Sequence, residues 1–73
     1  MSKLFAVSYI DFFNNDLVTE FHRADNWQTA LELHTEVDAE DTAHIRSMDI
    51  EDAKEEAFNC DWLFDVVEVP TND

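Results

Sequence analysis

The chain contains no glycine in its 73 residues, and this absence limits how its backbone can turn. Glycine normally occupies turn positions that need a positive φ. Without it, the turns must use Asn, Asp or Ser, whose short polar side chains bond to the local backbone. The same absence excludes the glycine-rich loops that let backbone amides approach the phosphates of a nucleotide.

The residues NND at positions 14–16 separate two segments rich in β-branched and aromatic residues. We predict a β-hairpin with strands over residues 3–13 and 17–23 and this turn between them. The apolar start of the chain is too short for a membrane span or a signal peptide, and it fits a strand. Alternation along the second strand divides its side chains between two faces, with Leu17, Thr19 and Phe21 on one and Val18, Glu20 and His22 on the other.

Two helices are predicted after the hairpin. Asp25 with Gln28 resembles a capping box, so we expect the first helix over residues 26–36. Its apolar residues recur at helical spacing on one face: Trp27, Ala30, Leu31, His34 and Val37. Asp49 is the predicted N-cap of the second helix. The residues of that helix expected to face inward are Ile50, Ala53, Ala57, Phe58 and Cys60.

The segment between the helices fits more than one structure. DAED at 38–41 predicts an acidic loop, and residues 42–48 are compatible with a short edge strand or a turn of helix. Residues 62–69 predict a last strand, which Pro70 ends, leaving residues 70–73 as a short tail. We therefore expect one α+β domain over residues 1–73 in the order β-β-α-(β)-α-β. Its sheet should have three to four mainly antiparallel strands, with both helices on one face.

Acidic residues dominate the charge of the chain. Eighteen Asp and Glu stand against four Lys and Arg, which gives a formal net charge of −14. Lys3, Arg23, Arg46 and Lys54 do not form a basic stripe, so we expect no direct binding of nucleic acid. The single cysteine, Cys60, allows no intramolecular disulfide, which favours a cytoplasmic location. Six Phe and two Trp provide a core and distinguish the chain from disordered acidic proteins.

No residue pattern predicts catalysis, a cofactor or a metal site. His22, His34 and His44 lack the spacing of metal ligands, and His34 lies on the apolar helix face, where a hydrogen-bonded core histidine is the better interpretation. The acidic segments DAED at 38–41 and DIED at 49–52 lack the alternating ligands and the central glycine of calcium loops. We interpret Cys60 as a small buried residue rather than a nucleophile paired with His44. A non-enzymatic binding protein is therefore expected.

The acidic residues concentrate on the second helix and on the segment before it. Carboxylates three or four positions apart on a helix are neighbours, and they form rows along its surface. Such rows approximate the charge of duplex DNA, which carries one negative charge per ~1.7 Å of axis. The predicted partner-binding residues are Asp38, Glu40, Asp41, Asp49, Glu51, Asp52, Glu55 and Glu56. The hairpin acids Asp11, Asp16 and Glu20 are assigned to a different part of the surface.

In size, acidity, lack of disulfides and β-β-α opening, the chain resembles the small acidic inhibitor proteins that bacteriophages encode against host enzymes. That group includes DNA-mimicking inhibitors of restriction enzymes and of uracil-DNA glycosylase, some anti-CRISPR proteins, and short inhibitors of host RNA polymerase. The resemblance lies in overall character. It implies a protein that acts in the host cytoplasm on a basic, nucleic-acid-binding partner: a nuclease, a restriction or CRISPR effector, or RNA polymerase.

Two other functions fit the same sequence. One is an acidic antitoxin or adaptor that caps a single cognate partner through apolar contacts, with charge only guiding the encounter. The other is a soluble domain whose acidity provides solubility, as in salt-loving organisms. A homodimer is compatible with each function. The dependence of affinity on salt distinguishes the DNA mimic from the adaptor. The affinity of a DNA mimic falls steeply with ionic strength, whereas that of an adaptor falls little.

Overall fold

A computed structural model describes residues 2–71 of the chain. Its elements in chain order are β1 (Lys3–Asp11), β2 (Leu17–Ala24), α1 (Trp27–Leu33), α2 (Ala39–Ile45), α3 (Ile50–Asn59) and β3 (Trp62–Val69). The three strands form one sheet in the order β2-β1-β3, and both strand pairings are antiparallel. The α+β class and the β-hairpin are confirmed. The element order is β-β-α-α-α-β, with three helices instead of two.

Residues 39–45 form α2, so the predicted acidic loop at 38–41 is wrong. Of the two alternatives for residues 42–48, the helix is found through Ile45 and the edge strand is not. Thr42 and Ile45 are buried together. Residues three positions apart share a face of a helix but point to opposite faces of a strand, so burial of both requires the helix. Glu40 and Asp41 lie in the first turn, where the helix dipole favours negative charge.

All three helices pack on one face of the sheet. Central strand β1 contributes Phe5 and Val7 to the core, and Val7 is fully buried. The remaining buried apolar residues come from all the other elements: Ala24, Ala30, Leu31, Ile45, Ala53, Ala57, Trp62, Phe64 and Val66. Trp27 is half-buried and stacks on Phe64 with ring centroids 5.8 Å apart. The aromatic residues thus join α1 to β3 across the core.

The turns use Asn and Asp, as the lack of glycine predicts. Asn15 in the hairpin has a φ of 58°, and Asp61 between α3 and β3 has a φ of 69°. Asp11 ends β1 two residues earlier than expected because its side chain accepts a hydrogen bond from the amide of Phe13 at 2.8 Å. That bond turns the chain and leaves Phe13 exposed.

Two helix ends differ from the prediction. Asn26, not Asp25, caps α1, and its side chain accepts a hydrogen bond from the amide of Thr29 at 2.8 Å. The helix ends at Leu33 because His34 adopts an extended backbone with a ψ of 129°. Asp49 caps α3 as predicted, whereas Phe58 and Cys60 are exposed and do not face inward.

Strand β3 has the predicted bounds, and Pro70 follows it. Of the predicted tail, residues 70 and 71 are exposed, and residues 72 and 73 lie outside the described part of the chain. No helix within residues 2–71 is long and apolar enough to cross a membrane.

Candidate functional site

Helix α3 is amphipathic, and this property decides where its carboxylates lie. Ala53 and Ala57 are buried against the sheet. With 100° between successive residues, Glu51, Asp52 and Glu55 fall on the exposed side of the helix, and Glu56 lies at its edge, half-buried. They form the two predicted rows, with Asp52 and Glu56 in one and Glu51 and Glu55 in the other.

Helices α2 and α3 pack side by side and place acids from each around one groove. Asp41 of α2 and Glu56 of α3 are half-buried there. The groove is also lined by His44 and Cys60, and Trp62 of β3 forms part of its lining. A second hollow of about 290 Å3 adjoins it, because Glu56 belongs to both. Its other lining residues are Met48, Asp52, Glu55 and Asn59.

The structure therefore brings together Asp41, Asp52, Glu55 and Glu56, which are half of the predicted set. We call these four residues the α2–α3 acidic surface. Asp49 serves the fold, because its carboxylate accepts a hydrogen bond from the amide of Asp52 at 2.9 Å as the α3 cap. Glu40 and Glu51 are exposed in the first turns of α2 and α3. Asp38 is the exposed N-cap residue of α2, and its side chain makes no capping hydrogen bond.

Tyr9 lies at the centre of an acidic cluster that sequence reasoning missed. Burial raises the pKa of its phenol, and the charges of nearby carboxylates raise it further: Asp11, Asp41, Asp38 and Glu36. Asp11, Asp16 and Glu36 also line a hollow of about 210 Å3 beside Tyr9. The hairpin acids Asp11 and Asp16 thus share a hollow with Glu36 of the segment before α2, contrary to their assignment to a separate surface. Register between β1 and β3 places Asp11 opposite Trp62, which also lines the groove between α2 and α3.

The basic side chains lie against acids outside the predicted set. Lys3 forms an ion pair with Glu68 at 3.5 Å. Arg46 binds Glu32 at 2.6 Å, and Lys54 binds Asp65 at 3.0 Å. Three of the four Lys and Arg side chains are therefore directed to carboxylates that belong to neither the α2–α3 acidic surface nor the Tyr9 cluster. These three ion pairs therefore do not offset the charge of the carboxylates in either region.

His34 is a core histidine with both ring nitrogens bonded, as predicted. Its Nε2–H donates to the carbonyl of Val18 at 3.0 Å, and its Nδ1 accepts from the amide of Glu36 at 3.1 Å. This pattern defines a neutral ring with the proton on Nε2. These hydrogen bonds connect the end of α1 to β2 and to the segment that follows the helix. Neither nitrogen is therefore available as a metal ligand.

Glu20 of β2 forms a second structural network. Its carboxylate accepts hydrogen bonds from the hydroxyl and the amide of Thr35 and pairs with His22 Nε2 at 2.7 Å. Hydrogen bonds from Thr35 and His22 lower the pKa of Glu20 to about 2. The charged carboxylate therefore fastens β2 to the segment after α1.

Cys60 is exposed, so its interpretation as a buried residue is wrong. Cys60 is the C-cap of α3, where the chain leaves the helix toward β3. It therefore does not continue the buried face formed by Ala53 and Ala57. Its thiol contacts Glu56 Oε1 at 3.9 Å, and His44 lines the same groove. Within residues 2–71, no group of three or more His, Cys, Asp and Glu side chains is arranged to hold a metal ion.

Comparisons of the chain with protein-family models, with curated protein sequences and with solved structures found no match.

Proposed function

We propose that the protein is a non-enzymatic, acidic binding protein that inhibits a basic, nucleic-acid-handling protein by presenting carboxylates in place of phosphates. One observation carries the proposal. Asp41, Asp52, Glu55 and Glu56 line adjoining hollows on two packed helices, and the ion pairs of Lys3, Arg46 and Lys54 are formed elsewhere. A basic surface that docked there would meet concentrated negative charge on a folded scaffold.

The Tyr9 cluster enlarges this surface. Asp38 and Asp41 act on Tyr9 together with Asp11 and Glu36, so carboxylates continue from α3 across α2 to the hairpin end. Sheet pairing and core packing fix the elements that carry them, which reduces the entropy lost on binding. The expected partner is a nuclease, a restriction or CRISPR effector, or RNA polymerase, and the expected compartment is the cytoplasm of a host cell.

A defined set of variants tests the proposal. The surface variant carries Asp52→Asn, Glu55→Gln and Glu56→Gln. The control variant carries Asp25→Asn, Glu32→Gln and Glu68→Gln, so each set removes three negative charges. Ala24 pairs with Lys3 at one end of the sheet, and Asp25 follows Ala24 there. Asp11 and Trp62 pair at the other end of the sheet. Glu32 and Glu68 are the partners of Arg46 and Lys3.

The parent and both variants are immobilised, exposed to a bacterial lysate at low salt, and eluted with a salt gradient. We expect nucleic-acid-binding proteins to be retained by the parent and the control variant and lost from the surface variant. A purified captured protein should then release fluorescein-labelled duplex DNA when the parent chain is added. Equal retention on all three baits, or no displacement of DNA, would contradict the proposal.

The single cysteine supplies a readout of where the partner binds. Cys60 is exposed and lines the groove beside Asp41 and Glu56. A partner on the α2–α3 acidic surface should slow the reaction of Cys60 with a maleimide by about tenfold or more, because it covers the thiol. Unchanged labelling in a saturated complex would place the partner elsewhere.

One observation favours the adaptor alternative, in which apolar contacts hold a single cognate partner. The face of the sheet opposite the helices is exposed and largely apolar. If that face binds the partner, affinity should survive neutralisation of the helix acids and change little with salt. The two functions therefore give opposite results with the surface variant.

A further inference from the structure

The sheet has a second face that none of the three helices covers within residues 2–71. Register places four cross-strand rows on it, and the central residues of these rows are Leu4, Ala6, Ser8 and Ile10 of β1. Their neighbours on the two edge strands are mostly apolar: Phe21, Leu17, Leu63, Val67 and Val69. We call these nine residues the open face.

Several side chains of the open face are strongly exposed for their size. Leu17 is 66% exposed, Phe21 63% and Val67 54%. Single exposed apolar residues are common on protein surfaces, but clustered ones on a sheet face indicate a contact surface. The apolar residues of the open face lie on both sides of one polar row, Thr19–Ser8–Asp65. A hollow of about 220 Å3 lies on the same face, with Ser8, Ile10, Leu17 and Leu63 among its lining residues. The open face thus carries both a protruding ring, Phe21, and a recess.

Charge decides which kind of surface fits the open face. The charged residues in its rows are Arg23, opposite Leu4, and Asp65, opposite Ser8. Asp65 is already paired with Lys54 at 3.0 Å. The open face is therefore close to neutral, in contrast to the helical side of the same molecule. A basic partner gains no charge contact there, whereas another neutral apolar face is complementary.

We propose that the open face binds the open face of a second copy of this chain, forming a two-fold symmetric dimer with the sheets packed face to face. In this arrangement Phe21 of each copy fills the recess of the other. The same patch serves both copies, as a two-fold contact requires. The acidic helices lie on the two outer surfaces and remain available.

The distances in such a dimer keep the repulsion between copies small. Packed sheets are ~10 Å apart, and the helices add ~10 Å on each outer side. The acidic helix layers are then ~30 Å apart, which is several times the ~8 Å screening length at physiological ionic strength. A net charge of −14 on each copy therefore does not prevent this contact.

The area agrees with a weak but specific dimer. Three strands ~4.8 Å apart, with eight paired positions along each pairing at ~3.4 Å per residue, present about 400 Å2 of flat surface. With protruding side chains included, two copies bury about 1,000 Å2, the lower limit for a specific interface. We expect a dissociation constant on the order of 10 µM at physiological salt.

Sedimentation equilibrium of the full chain tests the proposal. We expect a mass that rises with concentration from the monomer value of 8.5 kDa to twice that value. Phe21→Gln with Val67→Gln should weaken association at least tenfold. The control, Leu33→Gln with Phe58→Gln, replaces two exposed apolar residues on helices α1 and α3 and should leave association unchanged. Circular dichroism verifies that both variants are folded.

Salt gives an independent check, because screening should strengthen an apolar contact between like-charged copies. Maleimide labelling of Cys60 should not change on association, since that thiol lies in the groove between α2 and α3. A chain that stays monomeric at ~200 µM would overturn the proposal. So would a dimer that the open-face variant does not weaken, since that result would assign association to a strand edge or to the helical side.

Discussion

The rings of Trp62 and Tyr9 lie 5.6 Å apart, centroid to centroid, and this contact joins the core to the acidic regions above it. Trp62 lines the groove between α2 and α3, and Tyr9 lines the hollow at the hairpin end. Both residues belong to strands that pair with each other. The groove between α2 and α3 and the hollow at the hairpin end are therefore each lined by an aromatic residue of the same sheet.

Trp62→Ala should destabilise the protein severely. The side chain is 4% exposed and contacts both Tyr9 and Phe64. Its removal leaves a cavity that lowers the free energy of unfolding by about 3–5 kcal/mol, most of the stability of a small domain. Urea denaturation measures the loss. Phe13→Ala is the control, because Phe13 is 81% exposed and its removal should change the free energy by less than about 0.5 kcal/mol. Parent-like stability of Trp62→Ala would show that the ring is not in the core.

Glycine at the two positive-φ positions should stabilise the fold. Asn15 has a φ of 58° and Asp61 a φ of 69°, and a residue with a Cβ atom is strained there. Asn15→Gly and Asp61→Gly should each raise the free energy of unfolding by up to about 1 kcal/mol. Asn14→Gly, the matched control, adds backbone freedom without relieving a positive φ and should lower stability slightly. A lower melting temperature for both Asn15→Gly and Asp61→Gly would contradict the turn geometry.

Acid should unfold the protein through Glu20. Its hydrogen bonds to Thr35 and His22 lower its pKa in the folded state from 4.5 to about 2. A lowered pKa means that the unfolded state binds the proton more readily. The stabilising contribution is therefore complete above pH 4.5 and is lost as the pH falls toward 2. Thermal melts across this range should show the loss, and Glu20→Gln should make the melting temperature depend less on pH. An unchanged profile in Glu20→Gln would remove Glu20 as the cause.

The melting temperature should rise by several degrees between low salt and ~0.5 M sodium chloride, because counterions screen the repulsion among the carboxylates. The surface variant, Asp52→Asn with Glu55→Gln and Glu56→Gln, should respond less to salt. It should also melt at an equal or slightly higher temperature at low salt, since like charges on neighbouring helix positions are destabilising. A flat salt response of the parent would mean that its carboxylates are already compensated.

Local sequence patterns predicted the strands, the hairpin and α3 well. Alternation and β-branched residues define β2 and β3, and Asp49 followed by a spaced apolar stripe defines α3. The residue types at the two positive-φ positions, Asn15 and Asp61, also follow from the absence of glycine. These features depend on neighbours in the chain, which the sequence displays directly.

Features that depend on distant contacts were not predicted. Thr42 and Ile45 reveal α2 only once it is known that both are buried. Asp11 and Asp16 share a hollow with Glu36, and this contact joins residues that are distant in the chain. The open face was also missed, since β1 is apolar on both faces and the sequence does not show which one the helices cover.

The dependence of affinity on salt, compared between the surface variant and the control variant, tests the proposed function most directly. Isothermal titration calorimetry measures the affinity of each chain for a captured nucleic-acid-binding protein. The titrations are repeated at several salt concentrations from ~50 to ~300 mM. We expect the surface variant to bind about tenfold or more weakly than the parent at the lowest salt, with a shallower salt dependence. The control variant should keep both the affinity and the slope of the parent. Equal weakening by the two sets would show that net charge alone guides association, and that the carboxylates of α2 and α3 do not imitate a phosphate backbone.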